Sequence, residues 1–395
     1  MSTVTASSSV EDAVNRRSGD LIALSHDIHA EPELAFAEHR SCAKTRTLVA
    51  ERGFDIVDGP GGLDTAFRAE YGSGDLVIGI CAEYDALPEI GHACGHNIIA
   101  ASAVGTALAL AEVADELGLT VVLIGTPAEE AGGGKVLLLN AGTFDDIAAS
   151  VMLHPGPADI AAARSLALSE VAVGYTGRES HAAVAPYLGI NAADAVTVAQ
   201  VAIGLLRQQL MPGQMMHGIV TEGGQAANVI PGHAELRYTM RATDMTSLKA
   251  LEERMAGCFA AGAVATGATH EIRETAPPYD ALVPDRFLAE VFRSELLRVG
   301  RHPLPVELEA AFPLGSTDMG NVTQRLPGIH PVVGIDAGGA SLHQPGFTAA
   351  AAGPSADKAV VEGAIMLART VVALAENADE RGRVLAALAE RQENA

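Results

Sequence analysis

The segment GHACGHN, residues 91–97, brings two histidines and a cysteine together among turn-forming residues. Thiolate and imidazole are good ligands for zinc-class cations. Cys94 and His96 follow the apolar run LVIGICA (76–82) and precede an alanine-rich stretch typical of a helix. In a parallel α/β sheet, such a connection lies at the carboxyl ends of the strands, where ligands bind. The structural alternative is a buried cysteine beside a histidine that caps the helix.

Two further strand ends carry residues with related chemistry. Glu129 and Glu130 follow the apolar run TVVLIGT (120–126), and His154 lies at the end of the run ASVMLHP (149–155). Adjacent carboxylates repel each other unless a positive charge lies near them. One could bind a cation while the other takes a proton from water. Each feature alone has an ordinary explanation, a solvated turn or a structural histidine, but three successive strand ends favour one shared metal site.

The elements that must position these residues alternate between strand and helix. Short apolar runs predict strands that are buried on both faces, and their alternation with helices predicts a mostly parallel sheet flanked by helices. The pattern changes to β-α-β-β-α-β over residues 167–279, which is typical of a ferredoxin-like α+β fold. We therefore predict an α/β domain formed by residues 1–166 and 280–395, with a small domain inserted at 167–279.

Composition limits the partners that we expect. The chain of 395 residues has a formal net charge of −23, from 49 acidic and 26 basic side chains. Such a surface repels nucleic acid and anionic membranes, so neither is an expected partner. The polar first residues do not resemble a signal peptide, and the four cysteines are too dispersed for a disulfide scaffold. We therefore expect a cytoplasmic protein that does not bind membranes or nucleic acid.

Serial motifs along the chain resemble those of the co-catalytic di-metal peptidases and amidohydrolases. This family includes aminoacylases, auxin-conjugate hydrolases and carboxypeptidases that release glutamate. The resemblance is to the cysteine-bridged branch that contains aminobenzoyl-glutamate hydrolase and β-alanyl-lysine dipeptidase. The motifs, in chain order, are AEYDALPEIGHACGHN, GTPAEEAGGGK, MLHPGP, GRESHAAVAPYLGINAADA, GGQAANVIPGHAELRYTMRA, GSTDMGNVTQRLPGIHP and SLHQPGF.

The resemblance implies a centre of two divalent metal ions, expected to be zinc, with manganese, cobalt or nickel as alternatives. Five residues match its ligand positions: Cys94 as the bridge between both cations, His96 and His154 on one of them, and Glu130 and His343 on the other. Glu129 matches the general base. Relatives often have CGHD where this chain has CGHN, so Asn97 departs from the family pattern.

The predicted insert carries further residues that match functional positions of the family. His181 resembles the histidine that polarises the substrate carbonyl from a partner subunit, which implies a homodimer formed through the insert. Asn228 and Arg241 match positions that bind the carboxylate end of the substrate. Asp318, outside the insert, is expected to orient a ligand or to line the substrate pocket. The ordinary alternatives for the insert residues are a capping histidine, a turn asparagine and a surface arginine.

The implied reaction is hydrolysis of an amide bond. A metal-bound hydroxide would attack the carbonyl, and Glu129 would take the proton and pass it to the leaving amine. The expected substrate is a small N-acyl amino acid, an aryl-glutamate or a dipeptide. Two alternatives stay open: a metal-free thiol hydrolase with Cys94 as its nucleophile, and a non-catalytic small-molecule binding protein on the same fold.

Overall fold

The computed structural model describes residues 5–309 and 315–394, and the chain divides into two units. Unit 1 comprises Met1–Ser165 and Leu282–Ala395, and unit 2 comprises Leu166–Ala281. Unit 2 is the region in which the sequence predicts an insert. The prediction of a mostly parallel sheet with an inserted second domain is confirmed.

The first segment of unit 1 alternates between strands and helices. In chain order its elements are α1 (Ala6–His29), α2 (His39–Ala50), β1 (Asp55–Asp58), β2 (Phe67–Gly72), β3 (Leu76–Ala82), α3 (His96–Ala111), α4 (Ala114–Leu117), β4 (Leu119–Gly125), α5 (Gly134–Asn140), β5 (Ala149–Val151) and β6 (His154–Gly156). Every residue of β4 is buried, and α3 is buried on nearly all sides. The apolar runs of the sequence therefore mark elements at the centre of this unit.

Unit 2 is a four-stranded antiparallel sheet with two helices packed against it. Its elements are β7 (Ala167–Thr176), β8 (Ser180–His181), α6 (Ala192–Leu206), β9 (Met215–Glu222), β10 (Val229–Ile230), β11 (His233–Ala242), α7 (Met245–Thr266) and β12 (Thr269–Glu274). The strand order is β12-β7-β11-β9, and β8 pairs separately with β10. The predicted β-α-β-β-α-β pattern is confirmed, with the two short strands as additions.

The last segment returns to unit 1. Its elements are α8 (Arg286–Arg298), α9 (Val306–Glu309), α10 (Met319–Arg325), β13 (Gly328–Ile329), β14 (Val332–Gly334), α11 (Pro345–Ala350), α12 (Pro354–Glu376) and α13 (Ala378–Glu393). β13 completes the sheet β1-β2-β4-β3-β5-β13, in which β4, β3, β5 and β13 run parallel. α12 packs against α1 and α3. Across the described ranges, each helix is too short or too polar to cross a bilayer.

Candidate metal centre

Cys94, Glu130 and His343 lie in connections that follow strands of unit 1, whereas His154, predicted to end a strand, is the first residue of β6 after β5 has ended at Val151. Cys94 lies in the loop after β3, and His96 is the first residue of α3. Between them, Gly95 has a φ of +75°, and a Cβ there would lie 2.6 Å from Pro155 Cγ. Glycine at this position therefore permits the left-handed turn and lets the loop approach the segment that carries His154.

One group of donors combines Cys94, His96 and His154, whose candidate ligand atoms all lie within 4.8 Å of one another. The Nδ1 atom of His96 is 2.9 Å from Asp85 Oδ1, and the Nδ1 atom of His154 is 2.6 Å from the Pro155 carbonyl oxygen. Both contacts fix the ring orientation and leave Nε2 as the atom that can bind a cation.

A second group of donors combines Cys94, Glu130 and His343, again with all ligand atoms within 4.8 Å. His343 Nε2 is 3.0 Å from Cys94 Sγ and 3.6 Å from Glu130 Oε2. The Cys94 sulfur therefore belongs to both donor groups. His343 lies far along the chain, and its backbone N–H donates to the Ala93 carbonyl, which brings it to this loop.

The donor atoms fit divalent cations. His96 Nε2, Glu83 Oε2 and Glu130 Oε1 are buried, and none of them has a hydrogen-bond partner among the described residues. Buried polar atoms without partners are costly, and buried carboxylates are normally paired with cations or bound to metals. Thiolate, imidazole and carboxylate together are the donor set of zinc-class sites. The residues present therefore suit metal binding.

The electrostatic environment of Cys94 does not favour a nucleophilic role in the absence of a metal. Burial raises the pKa of the Cys94 thiol well above its usual value, whereas a nucleophilic cysteine needs a lowered pKa. Burial also lowers the pKa of His154 to about 4, whereas at His96 the charges of Asp85 and Glu83 outweigh burial and raise the pKa. This environment argues against a metal-free thiol hydrolase.

Glu129 lies beside both donor groups. Its Oε2 is 3.9 Å from His96 Nε2, and the residue is 9% exposed. Burial, together with the negative charges of Glu83 and Glu130, raises the pKa of the Glu129 carboxyl. A carboxyl group whose pKa is raised towards neutral pH is suited to accept a proton and to return it.

Asp85 organises this region, and sequence reasoning did not single it out. Besides its contact with His96, its Oδ2 accepts the backbone N–H of Glu130 at 2.9 Å. One carboxylate therefore positions a residue from each donor group. The signal in the sequence was the pair of acidic residues in AEYD, directly after a buried strand, which is the same pattern that indicated Glu129 and Glu130.

A buried ion group lies behind the donors. The Nζ atom of Lys135 is 2.5 Å from Glu83 Oε1 and 2.6 Å from Asp318 Oδ1, and all three side chains are fully buried. Burial alone would raise the pKa of Glu83, but Lys135 and nearby histidines lower it to about 2. Asp318, expected to orient a ligand or to line the substrate pocket, uses Oδ2 to accept the Lys135 backbone N–H. This geometry favours a positioning role for Asp318.

Asn97 also has structural partners. Its Nδ2 donates to Ser25 Oγ at 2.8 Å and to the Ala351 carbonyl oxygen at 2.9 Å. These bonds connect α3 to α1 and to the end of α11. Asparagine supplies two N–H donors that an aspartate lacks, which explains why this side chain suits the position.

The predicted residues of unit 2 lie in two places. His181 and Asn228 are exposed neighbours, because His181 pairs with Val229 in the β8–β10 ribbon and the Asn228 carbonyl accepts the Ala182 N–H. Arg241 lies near the other end of β11. From His233 to Arg241 an extended strand covers roughly 26 Å. Within one copy of unit 2, the structure brings His181 and Asn228 together but not Arg241.

Two backbone contacts define the tautomer of the neutral His181 ring. The backbone N–H groups of Ala183 and Val184 both point at His181 Nδ1, at 3.2 Å. Nδ1 therefore acts as an acceptor, and the proton of the neutral ring is on Nε2. An exposed Nε2–H is a donor that can be presented to a carbonyl oxygen.

Comparisons with known proteins agree with this geometry. Residues 167–266 match the family described as "Peptidase dimerisation domain". The chain is 38% identical to the Xaa-Arg dipeptidase of Mus musculus over 383 residues, covering 93% of this chain and 87% of that protein. It is 30% identical to one subunit of the p-aminobenzoyl-glutamate hydrolase of Escherichia coli over 285 residues, covering 67% of this chain and 59% of that subunit.

A solved structure shares the fold. It is the YXEP protein of Bacillus subtilis, described as a dinuclear metal binding peptidase from the M20 family. The TM-score is 0.69 at 24% identity, and the match covers 92% of this chain and 99% of that one. The architecture of both units is therefore known from experiment in other proteins.

Proposed function

This chain belongs to the M20 peptidase family, and from that premise we propose that its substrate is a dipeptide with a basic C-terminal residue. The chain itself is a metal-dependent hydrolase of amide bonds in small substrates. The observation that carries the proposed amide hydrolysis is the pair of donor groups that share Cys94 beside Glu129. The proposed substrate is supported by 38% identity to an Xaa-Arg dipeptidase and by the charge of −23, which attracts a cationic substrate.

We propose that Cys94, His96 and His154 hold one divalent cation and that Cys94, Glu130 and His343 hold a second, with zinc as the resident metal. When bound, such cations polarise the scissile carbonyl and lower the pKa of water. Zinc is favoured because the shared ligand is a soft thiolate. Manganese, cobalt and nickel remain alternatives for the same donors.

Other residues of the chain transfer protons, stabilise the developing charge and bind the substrate. Glu129 accepts the proton of the attacking water and returns it to the nitrogen of the leaving amine. His181 donates its Nε2–H to the carbonyl oxygen as negative charge develops there. Asn228 and Arg241 bind the terminal carboxylate, for which an arginine offers paired N–H donors. Asp85 keeps His96 and Glu130 in place.

We propose that the active form is a homodimer joined through unit 2. His181 and Arg241 lie at opposite ends of this unit, so they can serve one small substrate only if they come from different copies. β9 pairs with β11 on one side, and its other edge is open among the described residues. Met215, Ile219 and Val220 on β9 are exposed, and such an edge is suited to pair with a second copy.

A substrate screen with a matched variant tests this proposal. The metal-loaded protein is assayed with an Xaa-Arg dipeptide, an N-acyl amino acid and an aryl-glutamate amide. We expect the highest kcat/KM for the dipeptide. We expect Glu129→Gln to keep its metal and to lose at least about 10²-fold in kcat, the scale of general-base catalysis.

Glu116→Gln, at an exposed position of α4, is the matched control and should retain normal activity. Near-normal turnover by Glu129→Gln would contradict the assignment of the base. A preference for the aryl-glutamate or the N-acyl amino acid would contradict the proposed substrate class but not the proposed metal centre.

A further inference from the structure

Glu83 has one carboxylate oxygen without a partner, and it faces the donor groups. The residue follows β3 directly and is 0% exposed. Its Oε1 accepts from Lys135 Nζ at 2.5 Å, while Oε2 has no hydrogen-bond partner among the described residues. Oε2 lies 3.5 Å from His96 Nε2, which also has no hydrogen-bond partner there. Two buried atoms that both bind cations therefore face each other.

The separation of these two atoms matches that of ligands on one cation. Bonds of about 2.0–2.2 Å from zinc to imidazole nitrogen and carboxylate oxygen give tetrahedral ligand-to-ligand distances of about 3.3–3.5 Å. The 3.5 Å between Glu83 Oε2 and His96 Nε2 agrees with this value. Glu83, His96 and Glu129 also form a group whose ligand atoms lie within 4.8 Å of one another.

Charge balance gives an independent reason. Lys135 is one buried ammonium, yet it contacts two buried carboxylates, Glu83 and Asp318. With a neutral His96, one negative charge is left over in a fully buried region, which is costly unless another cation lies near. The Asp318 oxygens are both within hydrogen-bond distance of Lys135 atoms, so the unbalanced oxygen is Oε2 of Glu83.

We propose that Glu83 is a further ligand of the cation held by His96, and that Lys135 fixes the carboxylate so that Oε2 faces this cation. The inference rests on the proposed metal centre and adds a residue to it. Carboxylate oxygen suits harder cations such as manganese, whereas thiolate suits zinc. Glu83 therefore shifts the preference of the His96 side of the centre towards manganese.

The test measures metal binding rather than turnover. The full-length protein, Glu83→Gln and Asp318→Asn are freed of metal with a chelator and titrated with Zn²⁺ or Mn²⁺, and bound metal is counted by elemental analysis. Asp318→Asn is the matched control because it also removes a buried carboxylate from Lys135. For Glu83→Gln we expect at least about a tenfold loss of affinity at one of two sites, the lower scale for residues that support a metal.

The loss should be larger for Mn²⁺ than for Zn²⁺, and Asp318→Asn should lose less than Glu83→Gln. Equal losses in both variants, or wild-type affinities in Glu83→Gln, would overturn the inference. If circular dichroism shows that Glu83→Gln does not fold, Glu83→Asp is tested instead. This variant keeps the negative charge beside Lys135 but moves the carboxylate away from the proposed cation. Wild-type Mn²⁺ affinity in Glu83→Asp would overturn the inference. Failure of the wild-type protein to bind two ions would instead refute the metal centre itself.

Discussion

Two non-glycine residues at the centre adopt left-handed backbone conformations. Ala128, directly before Glu129, has a φ of 59°, and His343 has a φ of 63°. Each costs on the order of 1 kcal/mol or more, so the surroundings must hold it in place. The backbone N–H of Ala128 donates to Glu38 Oε1 at 2.8 Å. Glu38 thus holds the turn that aims Glu129 and Glu130, although it lies 90 positions earlier in the chain.

At this scale, Glu38 makes stability depend on pH. Burial, with a contribution from the charge of Asp85, raises the pKa of Glu38 to about 6. The unfolded chain loses this proton at a lower pH than the folded one, so the contribution of Glu38 to stability falls as pH rises from about 4.5 to about 6. We expect Glu38→Gln, which keeps the acceptor for Ala128, to gain about 2 kcal/mol relative to wild type between pH 4 and 7.

The measurement is urea unfolding of both proteins across this range, with the difference between them plotted against pH. The difference removes the titration of the metal ligands, which both proteins share. Glu51→Gln, at the exposed C-cap of α2, is the matched control. A flat curve for Glu38→Gln would show that the pKa of Glu38 is not raised.

At the scale of elements, the turn between β4 and α5 determines where Glu129 and Glu130 lie. Gly134 begins α5, and a Cβ there would overlap the carbonyl oxygen of Pro127. We expect Gly134→Ala to lower the free energy of unfolding by about 1–3 kcal/mol, as overpacking does, and to weaken metal binding because the turn must shift. Thermal unfolding and metal titration measure both effects.

The control for this variant is Gly19→Ala. Gly19 lies within α1, and a Cβ there would have no atom within 4 Å. Alanine should therefore stabilise the helix by about 0.5–1 kcal/mol. If Gly134→Ala matches the wild type in stability and metal affinity, the close approach of Gly134 to Pro127 does not determine the positions of Glu129 and Glu130.

The elements were predictable where local pattern reflects burial. The apolar runs before Cys94 and Glu129 predicted strands, and the polar residues that follow these runs predicted where the strands end. β8 and β10 were not predictable, because strands of two residues show no periodicity. The ion group of Lys135 was also missed, since its partners lie 52 and 183 positions away. His343, 249 positions from Cys94, was identified only through the resemblance to a family.

At the scale of the whole molecule, the proposed dimer predicts that defective subunits can complement each other. In a mixed dimer of Glu129→Gln and His181→Ala, one site would combine an intact Glu129 with the intact His181 of the other subunit. Random exchange makes half of the dimers mixed, so we expect about a quarter of the wild-type activity. Steady-state rates after subunit exchange measure the recovery.

Each variant mixed with itself is the control and should remain inactive. No recovery in the mixed sample, with exchange verified by a tag on one subunit, would mean that His181 acts within its own chain. In that case, Arg241 could not bind the same small substrate, given its position at the far end of β11.

The division of unit 1 by unit 2 also affects how the protein is made. α12 covers α1 and α3, yet it leaves the ribosome only after unit 2 has been synthesised. At ~5–20 residues per second, the apolar surface of the first segment stays uncovered for on the order of ten seconds. Unit 2 has all its strands and helices within one continuous stretch and can fold during that interval. Unit 2 can therefore fold before unit 1 is complete, and chaperone demand falls on the N-terminal segment of unit 1.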